Sequence, residues 1–278
     1  MFKGFYTAAT GMIAQQRRTE ILSNNVANAN TPGYKADQST VRAFPNMLLS
    51  AIQKSGKASL SNGFNPNSTL KIGELGTGVY VQETIPDYTQ GQLVQTDLKT
   101  DIGMSQEYVP ENEDGSTGAL FFRLQTDTGE AYTRNGNFTQ DGSGNLVTSN
   151  GNYVLSTTGE PIQLQSADFQ VTTDGQVIEN DELVAQIDVA YAEDPNRLLK
   201  QDNGLYYTEE DEEPLESIVG DGEYTYSLNQ GYVEQSNVDA ASTMTEMMSA
   251  YRSFEANQKM LQAYDRSMDK AVNEIGKV

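Results

Sequence analysis

Two apolar stripes at helical spacing stand at opposite ends of this chain, and a Gly-rich, strand-like stretch lies between them. Near the N-terminus Phe5, Met12, Thr19 and Val26 recur every seven residues, with Ala8, Gln15, Leu22 and Ala29 as a second row. Near the C-terminus Ala240, Met247, Phe254, Leu261, Met268 and Ile275 form one row, and Met244, Tyr251, Gln258, Asp265 and Val272 another. That is the spacing of a seam facing another helix. Thr19 and Gln15 leave the first seam imperfect. The pattern points to a subunit that assembles through its ends while the middle folds as a separate body.

The local signals set the boundaries. Residues 5–29 read as a helix that stops at Thr31-Pro32-Gly33. The residue before a proline is pushed out of helical geometry, and Pro-Gly suits the centre of a type II turn. The second helix is predicted over 238–275, roughly 55 Å at the usual rise per residue, with Gly276 as its C′ cap and Glu255 and Lys259 in the favourable i, i+4 order. Between 36 and 95 the pattern is mixed. Arg42 to Ile52 reads as a short helix interrupted by Pro45, residues 55–68 as a loop, Val79 to Glu83 as a strand, and 89–92 as a turn.

Residues 96–208 carry turn pairs at short intervals: Asp114-Gly115, Thr128-Gly129, Asn135-Gly136, Asp141-Gly142, Asn150-Gly151, Thr158-Gly159 and Asp174-Gly175. Such pairs suit tight hairpins, with short runs such as Leu120–Leu124, Tyr153–Leu155 and Gln186–Ala190 between them. The expected fold class is α+β: long N- and C-terminal helices forming a coiled-coil-like assembly region, with a central all-β domain. The expected division is 1–34, N-terminal assembly helix and turn; 35–95, extended linker and hairpin; 96–208, β-rich outer domain; 209–236, return segment; 237–278, C-terminal assembly helix.

Composition removes whole classes of function. The net charge of −21, from 18 basic against 39 acidic residues, argues against nucleic acid, whose phosphates need clustered Lys and Arg. The absence of Cys and His excludes disulfides, Ser-His-Asp and Cys-His catalysis, and the ordinary zinc site. No stretch approaches the ~20 apolar residues of a membrane span. Residues 2–13 lack the continuous apolar run of a secretory signal, and Arg17-Arg18 leads into Thr19-Glu20 in place of a hydrophobic segment. Export, if it occurs, is expected without a cleaved signal peptide.

The first helix closes on NNVANANTPGYK at 24–35. Asn24, Asn25, Asn28 and Asn30 crowd a helix end, where Asn is a poor helix former. They either cap a fraying terminus or use their amides to hold a helix–turn unit in register against neighbouring subunits, as polar residues do in coiled-coil seams. Thr10-Gly11-Met12 followed by QQRRTEILSNNVANANTPGYK resembles the N-terminal signature of the bacterial flagellar rod and hook protein family. GYVEQSNVD at 231–239, with Tyr251-Arg252-Ser253-Phe254-Glu255-Ala256-Asn257-Gln258, resembles the matching C-terminal signature. AYTRNGNFTQDGSGNLVTSNGNYVL at 131–155 is similar to the β-domain core of the longer rod members.

The resemblance implies a tubular, helically arranged polymer with the terminal helices lining a central export channel and the β domain outside. It implies partners in further copies of itself and other rod and hook proteins, delivery by the flagellar type III export apparatus, and no catalytic residue, cofactor or metal. The interface residues it implies are Asn24, Asn25, Asn28, Pro32, Gly33, Tyr34, Glu234, Ser236, Asn237, Arg252 and Asn257. A single modest β domain differs from hook subunits, which carry an additional outer domain, and from the small proximal rod proteins, which have none. On this reading a free subunit keeps its β domain folded while the unpartnered end helices fray.

Other signals are weaker. Asp141-Gly142-Ser143-Gly144-Asn145 opens like a calcium loop, but Leu146 and Asn152 stand where Gly and a bidentate Glu are required, so a hairpin turn is the better reading. The acidic run at 209–213 reads as a solvated loop. Gly73, Gly76 and Gly78 match no phosphate-binding fingerprint. The clustered Met244, Met247 and Met248 read as a packing surface. Two rival functions share the composition. A cell-wall polysaccharide hydrolase needs a carboxylate pair in contrasting environments, which zymography would detect. A secreted β-rich adhesin leaves the paired end signatures unexplained, and cell fractionation separates it from a basal-body component.

Overall fold

A computed structural model describes residues 2–45, 47–52, 69–110, 117–201, 203–209, 213–222 and 224–275. The 55–68 loop, the Asp114-Gly115 turn, the centre of the 209–213 acidic run and the Gly276 cap lie outside the described residues. The fold is α+β, with one helix at each end and a mostly β central region. Its contacts divide into two units: Met1–Ser23, Gln38–Thr84 and Met244–Val278 in one, Asn24–Asp37 and Ile85–Thr243 in the other.

The first unit draws on α1 (Phe2–Ala27) and α2 (Ala240–Lys270), the latter ending in a π turn over Ala271–Ile275. The two helices touch in antiparallel sense. Gly4 lies against Tyr264 and Gly11 against Asn257, while Arg18 Nη2 meets Glu246 at 2.9 Å. A Cβ on Gly4 would fall 2.1 Å from the Tyr264 hydroxyl, and one on Gly11 3.1 Å from the Asn257 amide nitrogen. Glycines one heptad apart thus leave room for a polar and an aromatic side chain.

Along α1 the predicted rows are drawn inward: Ala8 and Leu22 are buried, and Phe5, Met12, Thr19 and Val26 half-buried. On α2 the first predicted row is half-buried wherever it is described, but the second is out of phase. Met244, Tyr251 and Val272 are 47, 55 and 72% exposed, and the withdrawn row is Thr243, Ala250, Asn257, Tyr264 and Ala271. Positions three and four residues on both neighbour a given helical residue. The apolar choice was the wrong one because the facing helix offers glycine gaps that accept Asn and Tyr.

The same unit holds most of β1 (Asp37–Ala43), with β2 (Met47–Ile52), β3 (Thr69–Leu75) and β4 (Val79–Pro86). β1 pairs with β4, and β2 pairs antiparallel with β3 from Met47 opposite Leu75 to Ile52 opposite Thr69. The short helix predicted over Arg42–Ile52 is therefore two strands. Each has a distant partner that no local pattern reveals, and Pro45, which cannot donate to a ladder, falls between them. The strand predicted at Val79–Glu83 lies within β4.

The second unit is the β body. Its strands are β5 (Leu93–Gln95), β6 (Ile102–Tyr108), β7 (Ala119–Thr126), β8 (Gly129–Thr133), β9 (Phe138–Gln140), β10 (Leu146–Thr148), β11 (Tyr153–Val154), β12 (Phe169–Val171), β13 (Gln176–Glu179), β14 (Glu182–Gln186), β15 (Val189–Ala192), β16 (Leu199–Lys200), β17 (Tyr206–Tyr207), β18 (Glu216–Ser217), β19 (Thr225–Gln230) and β20 (Tyr232–Glu234). The main sheet runs β16-β17-β8-β7-β11-β10-β9, with β15 also on β7 and β18 on β15. Three smaller pairings surround it: β12-β13-β14, β19-β6 and β20-β5.

β7 explains why its sequence does not alternate. Ala119, Leu120, Phe121 and Phe122 are all buried because both faces are covered. Leu120, Phe122 and Leu124 enter a large core with Phe138, Leu146, Val154 and Ile187, where Phe122 and Phe138 meet edge to face at 5.2 Å. Ala119 and Phe121 enter a smaller one with Tyr132, Ala190, Leu198 and Tyr206.

The predicted turns at 141–145 and 174–175 close the β9–β10 and β12–β13 hairpins. Asp141 accepts from the Ser143 and Asn145 backbone N–H groups at 2.8 and 2.7 Å and from the Asn145 amide at 3.1 Å, so its carboxylate is spent on the turn. One hairpin escaped notice. β13 turns into β14 through Asn180 and Asp181, both at positive φ (52° and 64°). Asn and Asp tolerate that geometry without a glycine to announce it.

Candidate functional site: a buried charge clasp

Three segments distant in sequence meet inside the second unit: the turn after α1, the β8–β9 connection, and the strand that leads toward α2. Each brings one charged side chain to the centre. Lys35, Arg134 and Glu234 are 2, 3 and 1% exposed. Lys35 Nζ lies 2.7 Å from Glu234 Oε1 and donates to the Thr89 carbonyl at 2.8 Å. Arg134 Nε donates to Glu234 Oε2 at 2.5 Å, and its Nη1 to the Leu120 carbonyl at 2.7 Å. The Gly91 backbone N–H gives Glu234 Oε1 a second donor at 2.8 Å. One carboxylate thus holds two cations and a backbone amide.

The electrostatics follow from this packing. Burial lowers the Lys35 pKa below the ordinary lysine value, although Glu234 opposes the shift. Burial alone would raise the Glu234 carboxyl, yet Arg134 and Lys35 outweigh it and hold the group below the usual carboxylate range. Ions so placed are costly to desolvate, and removing one partner strands the others.

A ring of further contacts, one of them the Lys200–Asp37 ion pair, surrounds these charges. Tyr34 N–H donates to the Thr31 carbonyl at 3.3 Å and Gly33 has φ +70°, which gives the predicted type II turn. A Cβ on Gly33 would fall 2.5 Å from the Asn135 backbone nitrogen. Gly33 N–H donates to the Glu234 carbonyl at 2.8 Å. Asn25, 4% exposed, accepts from Asp37 N–H at 2.9 Å, returns a bond to the Asp37 carbonyl at 2.8 Å, and accepts from the Tyr34 hydroxyl at 3.1 Å. Burial, with the Asp37 carboxylate nearby, raises the Tyr34 pKa above the ordinary tyrosine value. Lys200 Nζ donates to Asp37 Oδ1 at 2.8 Å and to the Lys35 carbonyl at 3.1 Å, and sits 4.3 Å from the Tyr34 ring centroid. Asn237 accepts from Ala36 N–H and donates to the Asp87 carbonyl, at 2.8 and 2.7 Å.

The structure therefore brings Asn25, Gly33, Tyr34, Glu234 and Asn237 together within one chain, and leaves the other sequence-selected residues outside this cluster. Asn28 donates to the Asn24 carbonyl and side-chain oxygen at 3.0 and 2.8 Å, a capping arrangement at the end of α1. Pro32 is half-buried in the turn. Ser236 Oγ accepts from Val238 N–H at 3.3 Å. Arg252 is exposed on α2, and Asn257 faces Gly11. Sequence reasoning missed Lys35, Arg134, Asp37 and Lys200. The signal was available for the first two: each of the three motif segments carries a charged residue, and the signs match.

The same three segments fall in three matched family models. Residues 5–35 match the flagella basal body rod protein family, 117–179 the flagellar hook protein FlgE/F/G D1 domain, and 229–274 the flagellar basal body rod FlgEFG protein C-terminal region. Lys35, Arg134 and Glu234 lie one in each. Over 100% of both chains the sequence is 49% identical to the flagellar hook-basal body complex protein FlhO of Bacillus subtilis. It is 31% identical to the flagellar basal-body rod protein FlgG of Agrobacterium fabrum over 93% of this chain and 94% of that one, and 30% identical to the FlgG of Bacillus subtilis over 98% and 99%. The chain belongs to the flagellar basal-body rod and hook-basal body protein family, and is a structural rod component of the flagellar basal body.

Proposed function

We propose that this chain polymerises through its terminal helices into the tubular rod that surrounds the export channel, with the β body outside. The observation that carries the reading is the apolar surface the helices leave open. Met244, Met248, Tyr251 and Met260 on α2 and Tyr6 and Ile13 on α1 are 47–62% exposed. Met244, Met248 and Tyr251 fall at i, i+4 and i+7 and so share one face of α2; a contiguous apolar patch on a surface marks contact with another molecule, and α1 and α2 are among the segments shared with the family. On this reading 1–34 and 237–278 are the assembly segments, and Asn24, Asn28, Arg252 and Asn257 lie at or near subunit contacts. Asn25, Gly33, Tyr34, Glu234 and Asn237 then serve assembly by fixing the segments from which the helices leave the β body.

The partners are further copies of the chain and other rod and hook proteins, delivered by the flagellar type III export apparatus. The higher identity to the hook-basal body complex protein than to the rod proteins FlgG supports a place of the former kind. The test is deletion of the gene, followed by electron microscopy of purified basal bodies. Rods that stop short and carry no hook are expected; intact rods and hooks would overturn the reading. Complementation with a Met244→Ser/Tyr251→Ser chain is expected to fail although the protein is folded and exported.

A further inference from the structure

Lys35 and Glu234 are 199 residues apart in sequence, and Arg134 and Glu234 are 100 apart. The two cations come first in the chain and the carboxylate that binds both comes last. If the 31–37 turn docked before residue 234 arrived, Lys35 and Arg134 would be buried side by side without that anion. The Arg134 charge is already among the influences that lower the Lys35 pKa. Two N–H groups of the same segment also lack their partners until then, because Gly33 N–H bonds to the Glu234 carbonyl and Ala36 N–H to the Asn237 side chain.

We propose that the Lys35–Glu234–Arg134 clasp is a chain-completion latch: the N-terminal turn closes onto the β body only when the C-terminal segment carrying Glu234 closes with it. Part of the β body need not wait for this step. β7, β8, β9, β10, β11 and β15 lie within residues 119–192, with Leu120, Phe122, Leu124, Phe138, Leu146, Val154 and Ile187 of the core, whereas Ile102, Met104, Leu205, Ile218 and Leu228 of the same core come from outside that span. The turn and the return strand are a later, mutually dependent layer. A chain emerging N-terminus first would therefore keep its first helix unanchored until nearly all of it had been delivered. This inference rests on the geometry of the clasp and stands apart from the polymerisation reading.

Amide hydrogen exchange on full-length protein tests it. The reporters are Gly33, Ala36 and Asp37 at the turn, Gln235 on the return segment, and Phe122 and Leu124 in the core as controls. In Glu234→Gln, exchange at the turn is expected to rise on the order of 100- to 1,000-fold, the size that follows from stranding a buried ion, with the core amides unchanged. Adding Lys35→Met, which removes one stranded cation, is expected to restore most of that protection. A general loss of packing would instead be worsened by the second substitution. In pulse-labelled refolding of the wild-type chain, turn and Gln235 amides are expected to gain protection together, after the core. Turn amides that keep their protection in Glu234→Gln, that are not rescued by Lys35→Met, or that become protected before Gln235 would each overturn the proposal.

Discussion

The two units of this chain spend their polar and apolar groups in opposite ways. The β body buries charge with partners: Lys35, Arg134 and Glu234 are almost inaccessible and mutually satisfied. The helical unit exposes apolar surface: Tyr6, Ile13, Met244, Tyr251 and Met260 are each about half or more exposed. The first arrangement is complete within one molecule, since a buried ion pair demands exact-sign company at hydrogen-bond distance. The second leaves oily area in water, which a monomer gains nothing by doing. The difference separates what a subunit does for itself from what it leaves for its neighbours.

The comparison breaks most readily at the clasp. Glu234→Gln is expected to weaken the docking of the 31–37 turn and the return strand, within the second unit, by about 3–5 kcal/mol, read as faster exchange of the turn amides in the full-length protein. No acceleration would mean that the buried charges do not hold the turn. The same carboxylate can be read by pH. Its pKa is lower in the folded chain than the ordinary 4.5, so its contribution is complete above that value and fades as pH falls through the lower, folded one. Wild-type protein is expected to lose melting temperature between pH 5 and pH 3 more steeply than Glu234→Gln; parallel profiles would contradict the assignment.

Smaller effects sharpen the contrast. Gly33→Ala forces a Cβ into a left-handed conformation and against the Asn135 backbone nitrogen, with an expected loss of about 2 kcal/mol. Asn25→Ala leaves the Asp37 N–H and carbonyl without their partner, for about 1–3 kcal/mol. Both are measured by chemical denaturation. At the far end, Met244→Ser/Tyr251→Ser is expected to change monomer stability by no more than about 0.5 kcal/mol, while abolishing incorporation into basal bodies. A large loss of monomer stability there would show that the open stripe belongs to the subunit's own packing.

Periodicity and punctuation carried much of the fold. The helix at each end, the type II turn at Thr31-Pro32-Gly33 and the hairpins closed at 141–145 and 174–175 were legible because each is decided within a few residues. Arg42–Ile52 was misread because its strands are decided by segments dozens of residues away. The second row of α2 was misread because Met244 and Tyr251 are more apolar than Asn257 and Tyr264, and only the glycines of the facing helix reverse the preference.

The candidate site divides along the same line. Asn25, Gly33, Tyr34, Glu234 and Asn237 could be singled out from the motifs that contain them, and the paired end signatures were enough to indicate the family. What the sequence could not supply was the direction in which those side chains are used. That Glu234 turns inward to bind Lys35 and Arg134, and that Lys200 covers Tyr34 and Asp37, depends on which strands lie beside which. Pairing between residues 100 or 199 positions apart is a property of the closed fold. Charge says that a partner is needed when a group is buried; only the tertiary structure decides that it is buried, and beside whom.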